Sequence, residues 1–516
     1  MTTTLNFGDR PAGCIAIAAA RLTADMFGGG RERAAWFLKN RTYVDDATAG
    51  ADTMEELRQI SADLEAIVVP GGFKFKETMM SGDKIKNEDE IGKVLGLRWN
   101  TEEDELSVDI KLNFGGKVKG AKLTPDADLE NDDLELYAPE KITKRMLWRV
   151  AMAQYDPLGL LCGYTIKFKL LMRNMAEEAG KVLGWDDEVG PKAEANFRQI
   201  LEDMASLRQI KFKRSIKPPP SMGKWVGKPT LLVFGDGSRE ASCALAYIRW
   251  EMESRKVYCQ LIAGKTKVAP KVKISIPRVE LVGSQLAVRL ARKVKHSLKI
   301  EFEKTIFFTD SSAVLGMINQ ESAKFNEFVG TRVSEIRALS DPVKEWFWIP
   351  TDCNLADMGT RPNVRPEEMD LESAYQKGMD WMRLPASKWP AKKTLSPPPV
   401  EELRKDLIEA SALAVRPEVK EEWPKYPVKN VTIQKVKRIY GYVFLAAAKW
   451  LKKDSFVPLV KVDGDRGSKY SATASPVFRS FIFLLTSARI NPLFSVKSLV
   501  INCERIFFWC NTFLQN

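Results

Sequence analysis

Apolar residues change their spacing several times along the chain, and each change marks a different element. From Thr53 to Val69 they recur as Met54, Leu57, Ile60, Leu64 and Ile67, one face of a helix, with Thr53 and Glu56 forming a capping box. Gly71-Gly72 closes that helix. Lys93 to Trp99 and Glu105 to Leu112 read as strands, followed by an acidic loop from Asp126 to Asp133. Helical spacing returns from Thr143 to Asp156-Pro157, then from Tyr164 to Ala179 and from Lys192 to Leu207. Lys217-Pro-Pro-Pro-Ser221 is stiff and polyproline-prone, and marks a boundary.

Beyond Pro229 the pattern becomes that of a layered α/β domain. Leu231 to Phe234, Ser242 to Arg249 and Val257 to Ile262 predict three successive strands. Pro277 to Val294 predicts a helix with Pro277 in its first turn. A strand (Thr305 to Phe308), two helices (Ser312 to Asn319, Phe325 to Leu339), a strand (Trp346 to Ile349) and a turn opened by Asn354 follow. This order predicts a central mixed sheet with flanking helices. Leu395-Ser-Pro-Pro-Pro-Val400 reads as a second linker and Val431 to Leu451 as a basic amphipathic helix; the tail after Asp465 has no clear period.

Composition narrows the chemistry. The 516 residues, with 28% charged and 45% hydrophobic, are globular in character. No apolar run is long enough to span a membrane, and Asp9, Arg10, Arg21 and Asp25 interrupt the N-terminal region, so neither a membrane span nor a secretory leader is expected. Seven cysteines without CxxC pairs fit a reducing intracellular setting. A single histidine, His296, lies in a basic run and reads as a solvated surface residue. Histidine-based nucleophile systems and His-rich metal sites are thereby disfavoured, which leaves carboxylates and hard, oxygen-ligated ions. The 79 Lys and Arg against 67 Asp and Glu give +12, which suits a polyanionic partner.

Four acids fall at informative positions. Asp236 follows the first strand of the α/β domain in Phe234-Gly-Asp-Gly-Ser238, and Glu280 lies in the first turn of the next helix. Asp310 ends the strand Ile306-Phe-Phe-Thr-Asp310, and Asp357 follows the last strand in Asn354-Leu-Ala-Asp357. Each alone also reads as an ordinary cap or turn residue: Asp236 a turn, Asp310 and Asn354 helix N-caps, Glu280 a complement to a helix dipole. Together, converging at one sheet edge, they would repel unless cations bound, and two divalent ions would make a phosphodiester hydrolysis site.

The same segments resemble the ribonuclease H domain of BEL/Pao-type retrotransposon polyproteins: Phe234-Gly-Asp-Gly-Ser238, Gly264-Lys-Thr-Lys-Val-Ala-Pro270, Ile276-Pro-Arg-Val-Glu-Leu281, Phe308-Thr-Asp-Ser311, and Trp348 to Asp357 followed by Thr360-Arg361. Ile142-Thr-Lys-Arg145, Tyr155-Asp-Pro-Leu-Gly-Leu-Leu161 and Gly184-Trp-Asp-Asp187 resemble that family's connection segment. Phe7-Gly-Asp-Arg-Pro-Ala12, Tyr43-Val-Asp-Asp46 and Val94-Leu-Gly-Leu-Arg-Trp99 resemble motifs of its reverse transcriptase palm.

The resemblance implies an α/β chain with a partial palm over 1–140, a helical connection over 141–221 and a ribonuclease H-like domain over 225–365, then a linker and basic helical segment over 366–464 and an unassigned tail over 465–516. It implies that Asp236, Glu280, Asp310 and Asp357 hold two Mg²⁺ ions, with Mn²⁺ as a substitute, to cut the RNA strand of an RNA–DNA hybrid. It assigns Asp45 and Asp46 to a polymerase metal site, with Tyr43 beside the primer end. Lys265, Lys267, Lys271 and Lys273 are candidate nucleic-acid contacts, although charge runs are commonly solvated faces. The fingers and the first polymerase aspartate have no counterpart, so polymerase activity is not expected from this chain alone; other Pol segments would have to supply them. The expected location is intracellular, in the cytoplasm or a virus-like particle there, with the nucleus left open. A non-catalytic nucleic-acid-binding remnant is the alternative. The chain departs from the family pattern at Gly237 (usually Ala) and Cys162-Gly163 (usually Ser-Pro), at Glu77-Thr78 (usually Lys-Trp), and in lacking a loop histidine near the last acid.

Overall fold

The computed structural model describes residues 12–43, 46–85, 91–110, 140–178, 183–270, 274–298, 300–361 and 363–404. The expected loop at Asp126 to Asp133, the helix at Val431 to Leu451 and the tail lie outside these residues, as do Asp45, Lys271 and Lys273.

Three helices open the described chain: α1 (Ala12–Phe27), α2 (Glu32–Asn40) and α3 (Met54–Val68). They bury Ala24, Leu38, Ile60, Leu64 and Ile67 against one another; of the stripe that the spacing predicts, Ile60, Leu64 and Ile67 are buried, whereas Met54 in the first turn is exposed. Thr53 caps α3 by accepting from Glu56 N at 3.2 Å. Between α2 and α3, β1 (Thr42–Tyr43) pairs antiparallel with β2 (Asp46–Ala47).

The span Lys93 to Trp99 is not one strand. It folds back as β3 (Gly92–Val94) and β4 (Leu97–Asn100), because Leu95 (φ 51°) and Gly96 (φ 80°) both adopt the left-handed conformation of a tight hairpin turn. β5 (Glu105–Val108) and β6 (Phe212–Lys213) complete an antiparallel sheet of order β3-β4-β5-β6.

Helices α4 (Lys144–Ala153), α5 (Cys162–Glu178) and α6 (Pro191–Gln209) form the connection. Its recurrent motifs have local jobs. Asp156 accepts from the backbone N–H of Leu160 and Leu161, both at 2.8 Å, and so fixes the turn that launches α5. Arg145 N donates to Trp185 O at 2.8 Å and its guanidinium grips Asp186 through two hydrogen bonds, tying Ile142-Thr-Lys-Arg145 to Gly184-Trp-Asp-Asp187.

The central sheet contains β7 (Thr230–Gly237), β8 (Ala241–Glu251), β9 (Val257–Val268), β10 (Lys304–Thr309) and β11 (Trp346–Trp348) in the order β11-β10-β7-β8-β9. β7 is parallel to β10, and β10 to β11, whereas β7-β8-β9 is an antiparallel meander with a bulge at Ala246/Tyr247. Both faces are covered, and β7 alternates between them. Leu231 and Val233 pack under α7 (Ile276–Ser297), α8 (Ser312–Ile318) and α9 (Glu327–Leu339). Leu232 and Phe234 face the other way, toward Leu160, Leu161, Phe168, Tyr375 and Met382.

That second face is built by distant pieces of chain. Gly264 N on β9 donates to Leu158 O at 3.0 Å, and Gly159 (φ 70°) lies so close that a Cβ there would sit 2.0 Å from Gly264 O. From the other side, residues 366–391 descend in short turns and bury Met369, Tyr375 and Met382. Tyr375 donates its hydroxyl to Leu160 O at 2.8 Å, and its carbonyl accepts from the Tyr247 hydroxyl at 2.6 Å, so one residue joins connection, sheet and C-terminal cover.

A candidate carboxylate site at one end of the central sheet

Asp236 stands in the last turn of β7, opposite Cys243 of β8, and is 8% exposed. The backbone of α7 passes almost in contact. A Cβ at Gly237 would lie 2.3 Å from Val279 O, and one at Gly283 would lie 2.1 Å from Asp236 O. Glycine at 237, the departure from the family's alanine, is what this approach requires. α7 begins at Ile276, so Glu280 falls in its second turn, one turn later than the sequence suggests.

Asp310 directly follows β10, but it does not cap α8; Ser311 does, accepting from Val314 N at 3.2 Å. The Asp310 side chain is thereby left to other partners. Trp348 Nε1 donates to the Asp310 carbonyl at 2.8 Å and Asn354 Nδ2 to its carboxylate at 3.1 Å. Asn354 also caps the 3₁₀ turn Leu355–Gly359, which carries Asp357.

Each remaining carboxylate also has a protein partner. Thr360 Oγ1 donates to Asp236, and Ser311 Oγ donates to Glu280 Oε2 at 2.6 Å. Arg361 pairs with Asp357 at 2.7 Å. Burial raises the Asp236 carboxyl to about 7, against the Thr360 hydrogen bond and with help from the charges of Asp310 and Asp357. Burial also raises Glu280, with Ser311 opposing and Asp310 adding, and raises Asp357, with Arg361 opposing and Asp310 adding. The charge of Asp310 therefore bears on all three others.

The donor chemistry, four hard carboxylate oxygens with unfavourable mutual repulsion, fits a hard divalent cation. The side chains do not stand ready to hold one. Among the described residues no three His, Cys, Asp or Glu side chains form a metal-holding group. Thr360, Ser311, Asn354 and Arg361 occupy the carboxylates instead.

The other candidates lie elsewhere. Asp46 pairs with the exposed Tyr43 across β1–β2 and accepts from Leu95 N at 3.1 Å, joining the first hairpin to the β3–β4 turn. Lys265 and Lys267 alternate outward on β9, exposed, beside buried Gly264 and Thr266. Lys169 of α5 lies near Lys265, whose charge, after burial, lowers its pKa. No sequence signal singles out Lys169, since α5 joins it to β9 only through the fold. Thr360 and Arg361 are legible as motif letters, but their roles as carboxylate partners are not. No described helix is long and apolar enough to cross a membrane.

Residues 143–311 match the model of a family described as the Pao retrotransposon-like RNaseH-like domain. That span includes Asp236, Glu280 and Asp310. No curated protein matches the chain. Among solved structures, the chain is similar to the foamy viral protease-reverse transcriptase in complex with double-stranded DNA, with 13% identity over 65% of this chain and 49% of that one and a TM-score of 0.36. It is also similar to RNase H1 from the halophilic archaeon Halobacterium salinarum NRC-1, with 13% identity over 25% of this chain and 91% of that one and a TM-score of 0.18. The chain spans about half the length of the foamy viral protein.

Proposed function

We propose that this chain, whose residues 143–311 match the Pao retrotransposon-like RNaseH-like domain, hydrolyses the RNA strand of RNA–DNA hybrids at Asp236, Glu280, Asp310 and Asp357. The observation that carries the reading is electrostatic: four acids from separate elements, at one end of a mixed sheet, where burial first and the Asp310 charge in addition raise the other three.

The residues act by holding and orienting. Asp236 is fixed in depth by the glycine-lined approach of α7 and carries the proton that must leave before it can serve as a ligand. Asn354 and Trp348 hold Asp310 at the strand end, so its position does not depend on a ligand. Asp357 must turn away from Arg361, and Glu280 from Ser311, for the four to act together. Bound Mg²⁺ would supply a water of lowered pKa and stabilise the departing 3′ oxygen. Lys265, Lys267 and Lys169 would contact the hybrid's phosphates. In the same reading the Tyr43–Asp46 hairpin belongs to a partial polymerase palm that other Pol segments complete.

The Arg361–Asp357 pair is the observation that favours the alternative, a nucleic-acid-binding remnant without catalysis. Cleavage of a labelled hybrid by the full chain with Mg²⁺ separates the two. The expected result is RNA-strand cutting that falls at least about a hundredfold in Asp310→Asn. Salt-sensitive binding without cutting would establish the alternative.

A further inference from the structure

Residues 395–403 run past the start of α8, two residues beyond Asp310, to the N-terminal end of α7, the helix that carries Glu280. Ser396 N donates to Ser312 O at 3.1 Å, and the two side-chain hydroxyls meet at 2.7 Å. Ser312 lies two residues beyond Asp310. Three prolines follow, then Glu402, which is 1% exposed although it carries a charge. Its carboxylate accepts from Arg278 Nε at 2.7 Å, Asn326 Nδ2 at 2.7 Å and Ser275 Oγ at 3.1 Å. Arg278 lies two residues before Glu280, Ser275 is the N-cap of α7 and Asn326 the N-cap of α9. Asn326 N donates to Glu402 O at 2.9 Å and Arg404 N to Lys324 O at 3.0 Å, which completes the hold.

Two features separate this crossing from ordinary core packing. The first is its chemistry: an arginine and two helix N-cap side chains converge on one oxyanion, a donor set that suits a phosphate as well as a carboxylate. The second is its thinness. Leu395 is 54% exposed and Val400 63% exposed, so the middle of the segment is held by polar contacts, with Leu403 at its end packed on the core.

We propose that residues 395–403 form a strap laid in cis across the N-terminal ends of α7 and α9, beside Glu280 and Asp310, with the Glu402 carboxylate standing where a backbone phosphate of the substrate binds. This rests on the reading of the four acids as a hybrid-cleaving site. Substrate binding then requires the strap to lift, and the closed population lowers the apparent affinity by the fraction of open molecules. The strap thereby discriminates against short or weakly charged nucleic acids, which cannot displace it.

The test uses the full chain, wild type and Glu402→Gln, titrated at fixed salt with a 12-base-pair RNA–DNA hybrid and, separately, with inorganic triphosphate. Removing the charge is expected to tighten hybrid binding by roughly tenfold, the release expected when a strap closed about nine-tenths of the time is freed. Equal hybrid affinity in the two forms overturns the strap. If neither form binds hybrid while Glu402→Gln gains triphosphate binding, the strap stands and the hybrid reading fails. Binding of neither probe by either form removes both. Ser396→Ala, which loosens the opposite end without touching the buried carboxylate, must shift hybrid affinity in the same direction; it decides the matter if Glu402→Gln does not fold.

Discussion

At the scale of single residues, Asp236 ties folding to the proposed chemistry. Its carboxyl titrates near 7 in the folded chain against an ordinary 3.8, so the folded state keeps a proton that the unfolded state has lost. The contribution is full below about pH 4 and disappears as pH rises through 7. Glu280 and Asp357, raised from the same direction, add to the same slope. Metal-free protein is therefore expected to be less stable at pH 8 than at pH 5, with Asp236 alone accounting for roughly 2.5 kcal/mol over that window. Urea midpoints with chelator present, at the two pH values, give the comparison. Asp236→Asn should flatten most of the difference and raise the midpoint at pH 8; a variant with the wild-type slope would remove Asp236 as its cause.

Among the elements, the connection comes backbone to backbone with the sheet where Gly159 faces Gly264. Alanine at 159 would pay for a left-handed conformation, about 1–2 kcal/mol, and its Cβ would push the Asp156–Leu161 turn off β9. Gly159→Ala should lower unfolding stability by about 3 kcal/mol in urea titration, with a change below about 1 kcal/mol contradicting the contact. The elements also show what was readable beforehand. Strands β7, β8 and β10 and helix α7 stood out because their apolar patterns are strong and local, and three of the site acids, Asp236, Glu280 and Asp310, sit near the ends of β7, α7 and β10. The β3–β4 hairpin was hidden because Leu95 adopts a conformation usually left to glycine or asparagine. Residues 366–391 were hidden for another reason. Met369, Tyr375, Trp381, Met382 and Trp389 follow neither a two-residue nor a helical period, and their burial comes from short turns laid on a distant sheet.

At the level of the molecule, the sheet is complete only when this cover is in place. Phe234 and Phe308 meet Trp381, and Phe308 meets Trp389, edge to face on that face, with Tyr247 edge-on to Phe234. A chain ending at residue 365, where the sequence suggests that the domain stops, would expose them. It is expected to aggregate or bind a hydrophobic dye, whereas one ending at residue 404 stays monomeric by light scattering. A well-behaved monomer ending at 365 would show the cover to be dispensable.

The remote origin of that cover has a consequence during synthesis. β7 leaves the ribosome long before Trp381 and Trp389 are made, an interval on the order of ten seconds at ordinary elongation rates. Through that interval one face of the nascent sheet lacks its lid, and a chaperone or an upstream segment must shield it. Translation pauses between the codons for β10 and those for residue 389 would therefore lower the yield of soluble product more than pauses of equal length placed later.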